Sequence, residues 1–483
     1  MVTCRRARPP TSTPSSPSLR NKESIVKLLL KSSVIGLVLA SVLAGCAVGT
    51  PYQRPDAAIP AQWDGATRAS PAGIQAVTAE WWRQFGNAEL NQLMEQALAA
   101  NHDLAAAVSR IRQARGSAGI TAAGRLPSAD LSTSATRSHS NQTGTGEQSQ
   151  LGVTVSYELD LWGGKAAASE AANARVDSSV YDRDAVALVL QADVASNYFQ
   201  ALALKDRLAI ARKNLDAARN VLSLVEVRYN KGATTGLEVS QQRTAVLNIE
   251  AQIPQLEQDL RTTQTALAVL LGQAPQGFAV QGATLAAMQV PAVGAYQPAS
   301  LLERRPDIKR AEAQLVAANA DIATARAALY PNIRLSATAI AGGILTSGAS
   351  TLGSLVASLT QSLFDGGRLR GQVALSQAQQ EELVAQYLQS VLVSLKEVQD
   401  SLGSVATTQS RQLLLTQAAR EAQEALRIAN VKYQAGAQDL LTLLDSQRTQ
   451  LQAEDSRVQA DLARFTATIA LYKALGGGWE GKS

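Results

Sequence analysis

Two periodicities divide this chain. Val239, Gln242, Val246, Ile249, Ile253, Leu256, Leu260, Thr263, Leu267 and Leu270 advance in steps of three and four. Leu441, Leu444, Arg448, Leu451, Asp455, Val458, Leu462, Phe465, Ile469 and Tyr472 do the same. So do the preceding stretches, through Val194, Leu204, Leu208, Leu215, Leu222 and Val225, and through Val384, Leu388, Val391, Leu395, Val398, Leu402 and Val405. A 3–4 repeat this long is a coiled-coil seam. The positions between are rich in Ala, Gln, Ser, Thr and Asp, so each helix is narrow and wet on one side. Proline is absent between Pro127 and Pro254 and after Pro331, which leaves long helices unbroken. The pattern predicts helices over about 165–228 and 368–430, roughly 90–100 Å each at 1.5 Å per residue. Each turns at a Gly-containing link, Lys231-Gly232 or Ala435-Gly436, into a return helix. Pro254 is expected to interrupt the first return helix. Hairpins so thin must pack against copies of themselves.

Before each long helix the period changes to two. Leu151, Val153, Val155, Tyr157, Leu159 and Leu161 alternate with Gly152, Thr154, Ser156, Glu158 and Asp160. Leu355, Ala357, Leu359 and Leu363 alternate with mostly polar residues in the second half. These are strands with one apolar face. A weaker strand precedes each, over 129–138 and 332–341, joined by Gly/Ser/Thr loops at 139–149 and 342–352. Tyr157, Trp162, Tyr330 and Phe364 fall near strand ends, where interface aromatics sit in membrane proteins. The alternation alone does not say whether the apolar face meets lipid or a protein core. Four strands cannot close a barrel, so a membrane reading requires copies: two give eight strands, three give twelve.

The halves are related. Leu126-Pro127 and Tyr330-Pro331 lie 204 residues apart, as do Arg228-Tyr229-Asn230-Lys231-Gly232-Ala233 and Lys432-Tyr433-Gln434-Ala435-Gly436-Ala437, and Leu271-Gly272 and Leu475-Gly476. Trp162-Gly163-Gly164-Lys165 and Asp365-Gly366-Gly367-Arg368 are 203 apart. One offset in one order is an internal duplication, and its period is far too long for a solenoid repeat.

Composition narrows the chemistry. Among 483 residues there are two histidines, His102 and His139, and 4% aromatics. No nucleophile motif and no phosphate loop is present, so no catalytic residue and no metal site is expected. The formal charge of +5 is misleading. Residues 1–45 alone carry +6, from Arg5, Arg6, Arg8, Arg20, Lys22, Lys27 and Lys31 against Glu23, leaving −1 for the rest. Without a basic footprint no nucleic-acid partner is expected.

Lys27 and Lys31 precede an apolar run from Ser32 to Leu43, followed by Leu43-Ala44-Gly45-Cys46. This is a secretory leader over residues 1–45, too short to persist as a membrane span. Residues 1–24 are unlike a normal start, and translation is expected near Val26. Leu-Ala-Gly-Cys resembles a bacterial lipobox, which implies a covalent lipid on Cys46; no other cofactor is expected. Ala47, in place of an inner-membrane retention Asp, implies the outer membrane.

Further motifs complete a resemblance. Val48-Gly49-Thr50-Pro51-Tyr52-Gln53-Arg54-Pro55, Trp81-Trp82-Arg83-Gln84-Phe85-Gly86, Leu301-Leu302-Glu303-Arg304-Arg305-Pro306-Asp307-Ile308 and Leu441-Thr442-Leu443-Leu444-Asp445-Ser446-Gln447-Arg448 stand in the order found in one family. Over residues 46–478 the chain resembles outer-membrane efflux lipoproteins of the TolC/OprM kind. The resemblance implies a mixed membrane α+β fold, with four transmembrane β-strands and long coiled-coil helices per chain. Three chains would form a 12-stranded β-barrel continuous with a 12-helix periplasmic α-barrel. The expected division is a lipid-anchored segment with first helices (46–126), repeat 1 (127–272), an equatorial linker with helices (273–330), repeat 2 (331–476) and a tail (477–483).

It implies a function too: a passive outer-membrane channel for drugs or other small molecules. Its partners would be an inner-membrane RND-type transporter, a periplasmic adaptor and outer-membrane lipids. The turns at Arg228, Tyr229, Gly232, Ala233 and at Lys432, Tyr433, Gly436, Ala437 resemble the family's adaptor-docking tip. Leu441, Asp445 and Arg448, on one helix face at i, i+4 and i+7, match its periplasmic gate. The plainer readings stand beside these: glycines that permit a tight helix reversal, and a solvated helix charge. Arg304-Arg305-Pro306-Asp307 reads as a helix start, Pro306 in the first turn and Asp307 at its positive end. Trp81-Trp82 reads as packing at the entry to the first helix. Two other functions compete: a protein-secretion duct, and a lipid-anchored coiled-coil scaffold without a pore. The strand at 151–161 speaks against the scaffold.

Overall fold

The computed structural model describes residues 49–64, 78–142, 144–282, 284–292, 297–343 and 350–477. The leader and the expected lipidation site Cys46 lie outside the described residues. The chain forms two units, one built on 124–167 and 322–373, the other on 51–123, 168–321 and 374–477.

The first unit holds a four-stranded antiparallel sheet in the order β1 (Ser128–Ser140), β2 (Gly144–Leu159), β3 (Asn332–Gly342) and β4 (Ser350–Thr360). Its register sets Leu131 opposite Val153, Val155 opposite Ala337, Tyr157 opposite Leu335, and Leu335 opposite Ala357. Opposed residues in antiparallel strands share a face. One face is therefore apolar in the rows through Leu131, Val153, Val155, Ala337 and Leu355, while Thr133, Arg137 and His139 of β1 continue it as polar positions. The other carries Asp130, Thr154, Ser156, Thr338, Ser354 and Ser358, with hydroxyl contacts from Thr154 to Thr338 at 3.3 Å and from Ser128 to Ser156 at 2.9 Å.

Which face is covered answers what the alternation left open. On β2 the apolar Leu151, Val153 and Val155 are 41%, 45% and 41% exposed, while Thr154 and Ser156 between them are half-buried. A sheet of a soluble protein buries its apolar face. Here the order is inverted. The outer strands β1 and β4 are exposed along their whole lengths.

The strands depart from the expected bounds at both ends. The loop expected at 139–149 gives way largely to strand, because the ladder continues through polar residues such as His139 opposite Thr145; of the loop expected at 342–352, residues 344–349 lie outside the described residues. At the other end the strands stop at Leu159 and Thr360, not at 161 and 363. Asp160 leaves the strand to accept the N–H groups of Lys165 and Ala166 at 2.9 and 2.7 Å, capping the next helix. Asp365 accepts from Leu369 at 3.0 Å in the same role. Between these strands and helices, Trp162 stacks on Tyr330 with centroids 4.8 Å apart and donates from Nε1 to the Pro331 carbonyl at 2.7 Å.

Among the described residues the helices longer than five residues are α1 (Ala88–Ala100), α2 (His102–Ala123), α3 (Gly164–Asn230), α4 (Gly236–Leu270), α5 (Pro306–Ala327), α6 (Arg368–Gln434) and α7 (Leu440–Ala474). α3 and α6 each have 67 residues, α4 and α7 have 35, α2 and α5 have 22. Members of each pair begin 204 residues apart. The structural repeat thus starts at His102 and Pro306, one helix earlier than the landmarks at 127 and 331. The two 22-residue helices share length and place but no distinctive motif, so the sequence did not align them. Pro254 does not break α4, which continues through it. Contacts with α3 hold it: Leu204, Leu208 and Ala211 pack with Leu256, and Leu215 and Ala218 with Val246 and Ile249.

The second unit's main core is aromatic. Trp81 is fully buried and stacks on Tyr472 at 4.9 Å, while Phe85, Phe199 and Phe465 lie 4.5–5.9 Å from one another. Three of the five phenylalanines of the chain meet there. Trp81 thus joins the two ends of the chain instead of only packing a helix entry.

Candidate functional site at the hairpin tips

The two helix reversals are the same structure made twice. After α3, Gly232 takes φ 75°, its N–H bonds the Tyr229 carbonyl at 2.9 Å, and Ala233 N–H bonds the Arg228 carbonyl at 2.8 Å. After α6, Gly436 takes φ 74°, with bonds to Tyr433 at 3.1 Å and from Ala437 to Lys432 at 2.9 Å. This paired 6→1 and 5→2 pattern is the Schellman cap, which needs a residue free to adopt a left-handed backbone. The spacing Arg/Lys-Tyr-x-x-Gly-Ala is therefore fully used in ending a helix. That does not exhaust the residues, because Tyr229, Gly232, Ala233, Lys432, Gly436 and Ala437 all remain exposed.

The caps match in backbone but not in side chains. Arg228 reaches across the duplication. One of its guanidinium nitrogens donates to the carbonyls of Tyr433 and Gln434 at 3.2 and 3.1 Å, and its Cζ lies 4.6 Å from the Tyr433 ring centre. Tyr433 is buried beside Val225, Leu440 and Leu443, and burial pushes its phenol above its ordinary pKa. Its counterpart Tyr229 points outward. Asp439 caps the start of α7, its carboxylate accepting from Thr442 N–H at 2.8 Å. Hydrogen bonds from the Thr442 side chain and backbone hold that carboxyl below its usual range.

Leu441, Asp445 and Arg448 lie together. They line one groove of about 830 Å³ between the return helices α4 and α7. The facing wall is polar, with Ser240, Thr244 and Asn248 at steps of four on α4. Arg448 donates to Asp445 at 2.7 Å within α7, so the charge that interrupts the apolar seam is paired on its own helix. Both side chains are largely exposed, and such a pair contributes little to stability.

Other polar contacts carried no signal in the sequence alone. Arg207 on α3 pairs with Asp455 on α7 at 2.5 Å, joining the two hairpins. Asp455 stood in the seam as an exception to its apolar pattern, but nothing in the sequence named its partner. Glu89 accepts the N–H groups of Gln281 and Gly282 at 2.6 and 2.7 Å and the Tyr198 hydroxyl at 3.0 Å. Burial raises the Tyr198 phenol well above its usual value.

A sheet whose exposed face is the apolar one, repeated with paired helical hairpins, defines a subunit of an outer-membrane channel. The model of the family described as outer membrane efflux protein matches residues 93–273 and 298–477. The chain belongs to that family. It is 40% identical over 469 residues to the pyoverdine export outer membrane protein OpmQ of Pseudomonas aeruginosa, covering 92% of this chain and 97% of that one. It is 32% identical over 471 residues to outer membrane protein OprJ of the same organism, covering 93% and 97%. Among solved structures, the outer-membrane channel OprN shares the fold at TM-score 0.81 and 30% identity, covering 90% of this chain and 100% of that one. The open-state channel MtrE of Neisseria gonorrhoeae does so at TM-score 0.81 and 26% identity, covering 90% and 98%. The protein is an efflux channel of the bacterial outer membrane.

Proposed function

We propose that three copies close into one conduit, in which the sheets form a twelve-stranded transmembrane barrel and the long helices a twelve-helix periplasmic tunnel. One observation carries this: the sheet leaves both outer strands, β1 and β4, exposed and unpaired in the chain, and turns its apolar face outward. A lipid bilayer tolerates no open sheet edge, so the edges must meet those of other copies. Two copies would give eight strands, a barrel that side chains fill. Twelve leave a lumen.

The conduit is passive. An inner-membrane RND-type transporter supplies the energy and selects the cargo, and a periplasmic adaptor docks on the tips around Tyr229, Gly232, Lys432 and Gly436. The groove holding Leu441, Asp445 and Arg448 is the periplasmic gate. A lipid on Cys46 anchors the mature chain. The polar sheet face and the Ser, Thr and Asn positions of α4 place few demands on cargo, so small molecules of varied chemistry pass. The relative named for pyoverdine export fits a duct of this kind.

The test is the mass of the detergent-extracted protein with bound detergent subtracted. Three times the mature chain is expected. A monomer or dimer persisting in several mild detergents would overturn the closed barrel.

A further inference from the structure

The duplication supplies a template for the joint between copies. Inside each chain, repeat 1 meets repeat 2 where β2 pairs with β3, and Trp162 closes that seam by stacking on Tyr330 and donating to the Pro331 carbonyl. Moving back 204 residues, Tyr330-Pro331 becomes Leu126-Pro127, immediately before β1. Among the described residues no aromatic covers them: Leu126 is 67% exposed, and Pro127 is exposed as well. At the opposite edge of the sheet, the loop after β4 carries Leu363 and Phe364, which are 95% and 93% exposed. That loop, residues 361–367, is longer than its counterpart at 160–163, and its aromatic lies farther from the following helix. The unused halves of one contact thus stand at the two open edges of one sheet.

We infer that Phe364 of one copy packs on Leu126 and Pro127 of the next, as the inter-subunit counterpart of the Trp162–Tyr330 contact. The inference rests on the closed assembly proposed above and adds its joint. The occupant is a second copy of this chain because the internal seam already shows the arrangement: strand pairing and aromatic cover occur together where β2 meets β3. Once β4 pairs with β1 of the next copy, the ladder continues and the same two loops become neighbours. Phe364 is left uncovered by the described residues of its own chain, and aromatic rings dominate the energetics of interfaces.

The test pairs Phe364→Cys with Leu126→Cys in the full-length chain, with each single variant as control for the native cysteines. Membranes are treated with a short bismaleimide and run on a denaturing gel. The double variant is expected to give covalent dimers and trimers, with most of the chain in linked species, and the single variants monomers. A native mass of three chains without these links would overturn the joint and leave the trimer standing. A native mass of one or two chains would instead remove the assembly on which it rests. Should the cysteine pair fail to assemble, Phe364→Ser and Phe364→Leu decide. The serine variant is expected to dissociate at a clearly lower temperature in detergent and the leucine variant close to wild type. A serine variant as heat-resistant as wild type would reject the contact.

Discussion

The Arg305 guanidinium donates to the Ala474 carbonyl at 3.0 Å, and Asn101 makes the equivalent contact 204 residues earlier, its amide donating to Leu270 at 3.0 Å. Each donor stands just before a 22-residue helix, and each acceptor is the last residue of a return helix. One fastening is thus made twice, with different chemistry, satisfying a carbonyl that the helix leaves unpaired. A Cβ on Gly272 or Gly476 would strike the carbonyl of Ala100 or Arg304 beside it, so the close approach is duplicated too. Beyond this contact the two differ: Asn101 accepts the Leu104 N–H at 3.0 Å and caps α2, whereas Arg305 pairs with Asp307 and Glu397 at 2.7 Å.

Arg305 is buried, and its loss would leave Asp307 without its countercharge. Arg305→Ala is expected to destabilise the helical unit by about 2 kcal/mol, less than the roughly 3–5 kcal/mol of a fully buried pair because Asp307 and Glu397 keep part of their surface in water. Arg305→Asn, which copies Asn101, should recover about 1 kcal/mol of that, one neutral hydrogen bond. Thermal unfolding followed by circular dichroism in detergent checks the order of the three proteins. Equal transitions for the two variants would mean that the Ala474 contact is not the fastening.

The same pair makes stability depend on acid. Burial raises the Asp307 carboxyl, but the Arg305 hydrogen bonds and charge outweigh it and hold the pKa below the ordinary value. A lowered native pKa gives stability that is complete above the unfolded value, about 3.9, and is lost as pH falls through the native value. Asp307→Asn lacks this contribution. Its deficit in transition temperature should be constant from about pH 7 to 5 and shrink below about pH 4. A deficit unchanged at the lowest pH would show that the Asp307 charge is not involved.

Much of this architecture was legible because it rests on period and on glycine. Steps of three and four placed four long helices, and Gly232 and Gly436 marked their reversals. The sequence did not show where the repeat begins, since α2 and α5 bury few large side chains and share no motif. It did not show the strand ends, because polar residues continue a backbone ladder without any alternation to read. Nor did it show Arg228 on Tyr433. Arg228 and Lys432 are equivalent in the duplication, and only the packing of Tyr433 inward and Tyr229 outward makes them differ.

Gly232 and Gly436 serve the helix reversal and, in our reading, the adaptor. Nothing lies within 4 Å of a Cβ built on either, so a side chain there meets open space but a left-handed backbone. That strain is roughly 1–2 kcal/mol per site, too little to unfold the chain. Gly232→Glu with Gly436→Glu is expected to leave the trimer intact and abolish drug resistance in cells. The paired Asn variant, tolerant of the same backbone, should retain it. Normal resistance in the Glu pair would reject docking at the tips.

The outward apolar face can be probed one residue at a time. Val153 and Thr154 are neighbours on β2 that belong to opposite faces. A lysine on the lipid face of a barrel costs roughly 2–4 kcal/mol near the bilayer midplane, whereas lumen positions accept charge. Val153→Lys should therefore cut the heat-resistant trimer in outer membranes severely, and Thr154→Lys should spare it while shifting ion selectivity toward anions. The opposite ranking would mean that the sheet is inserted with its faces reversed.

A local ion pair and a ring around a pore give Asp445 and Arg448 different roles. Arg448 and Asp445 bond within one helix, so the pair alone explains why a charge is tolerated in the seam. If that were its whole purpose, exchanging the two residues would preserve the contact and change nothing else. Around a threefold axis the exchange matters, because three acidic groups at position 445 favour cations and three basic groups repel them. Asp445→Ala is expected to raise single-channel conductance several-fold in planar bilayers. The exchange Asp445→Arg with Arg448→Asp should keep conductance low and reverse cation preference, with the effect fading in high salt as exposed charges are screened. Unchanged conductance in Asp445→Ala, together with unchanged selectivity in the exchange, would return both residues to an ordinary solvated helix face.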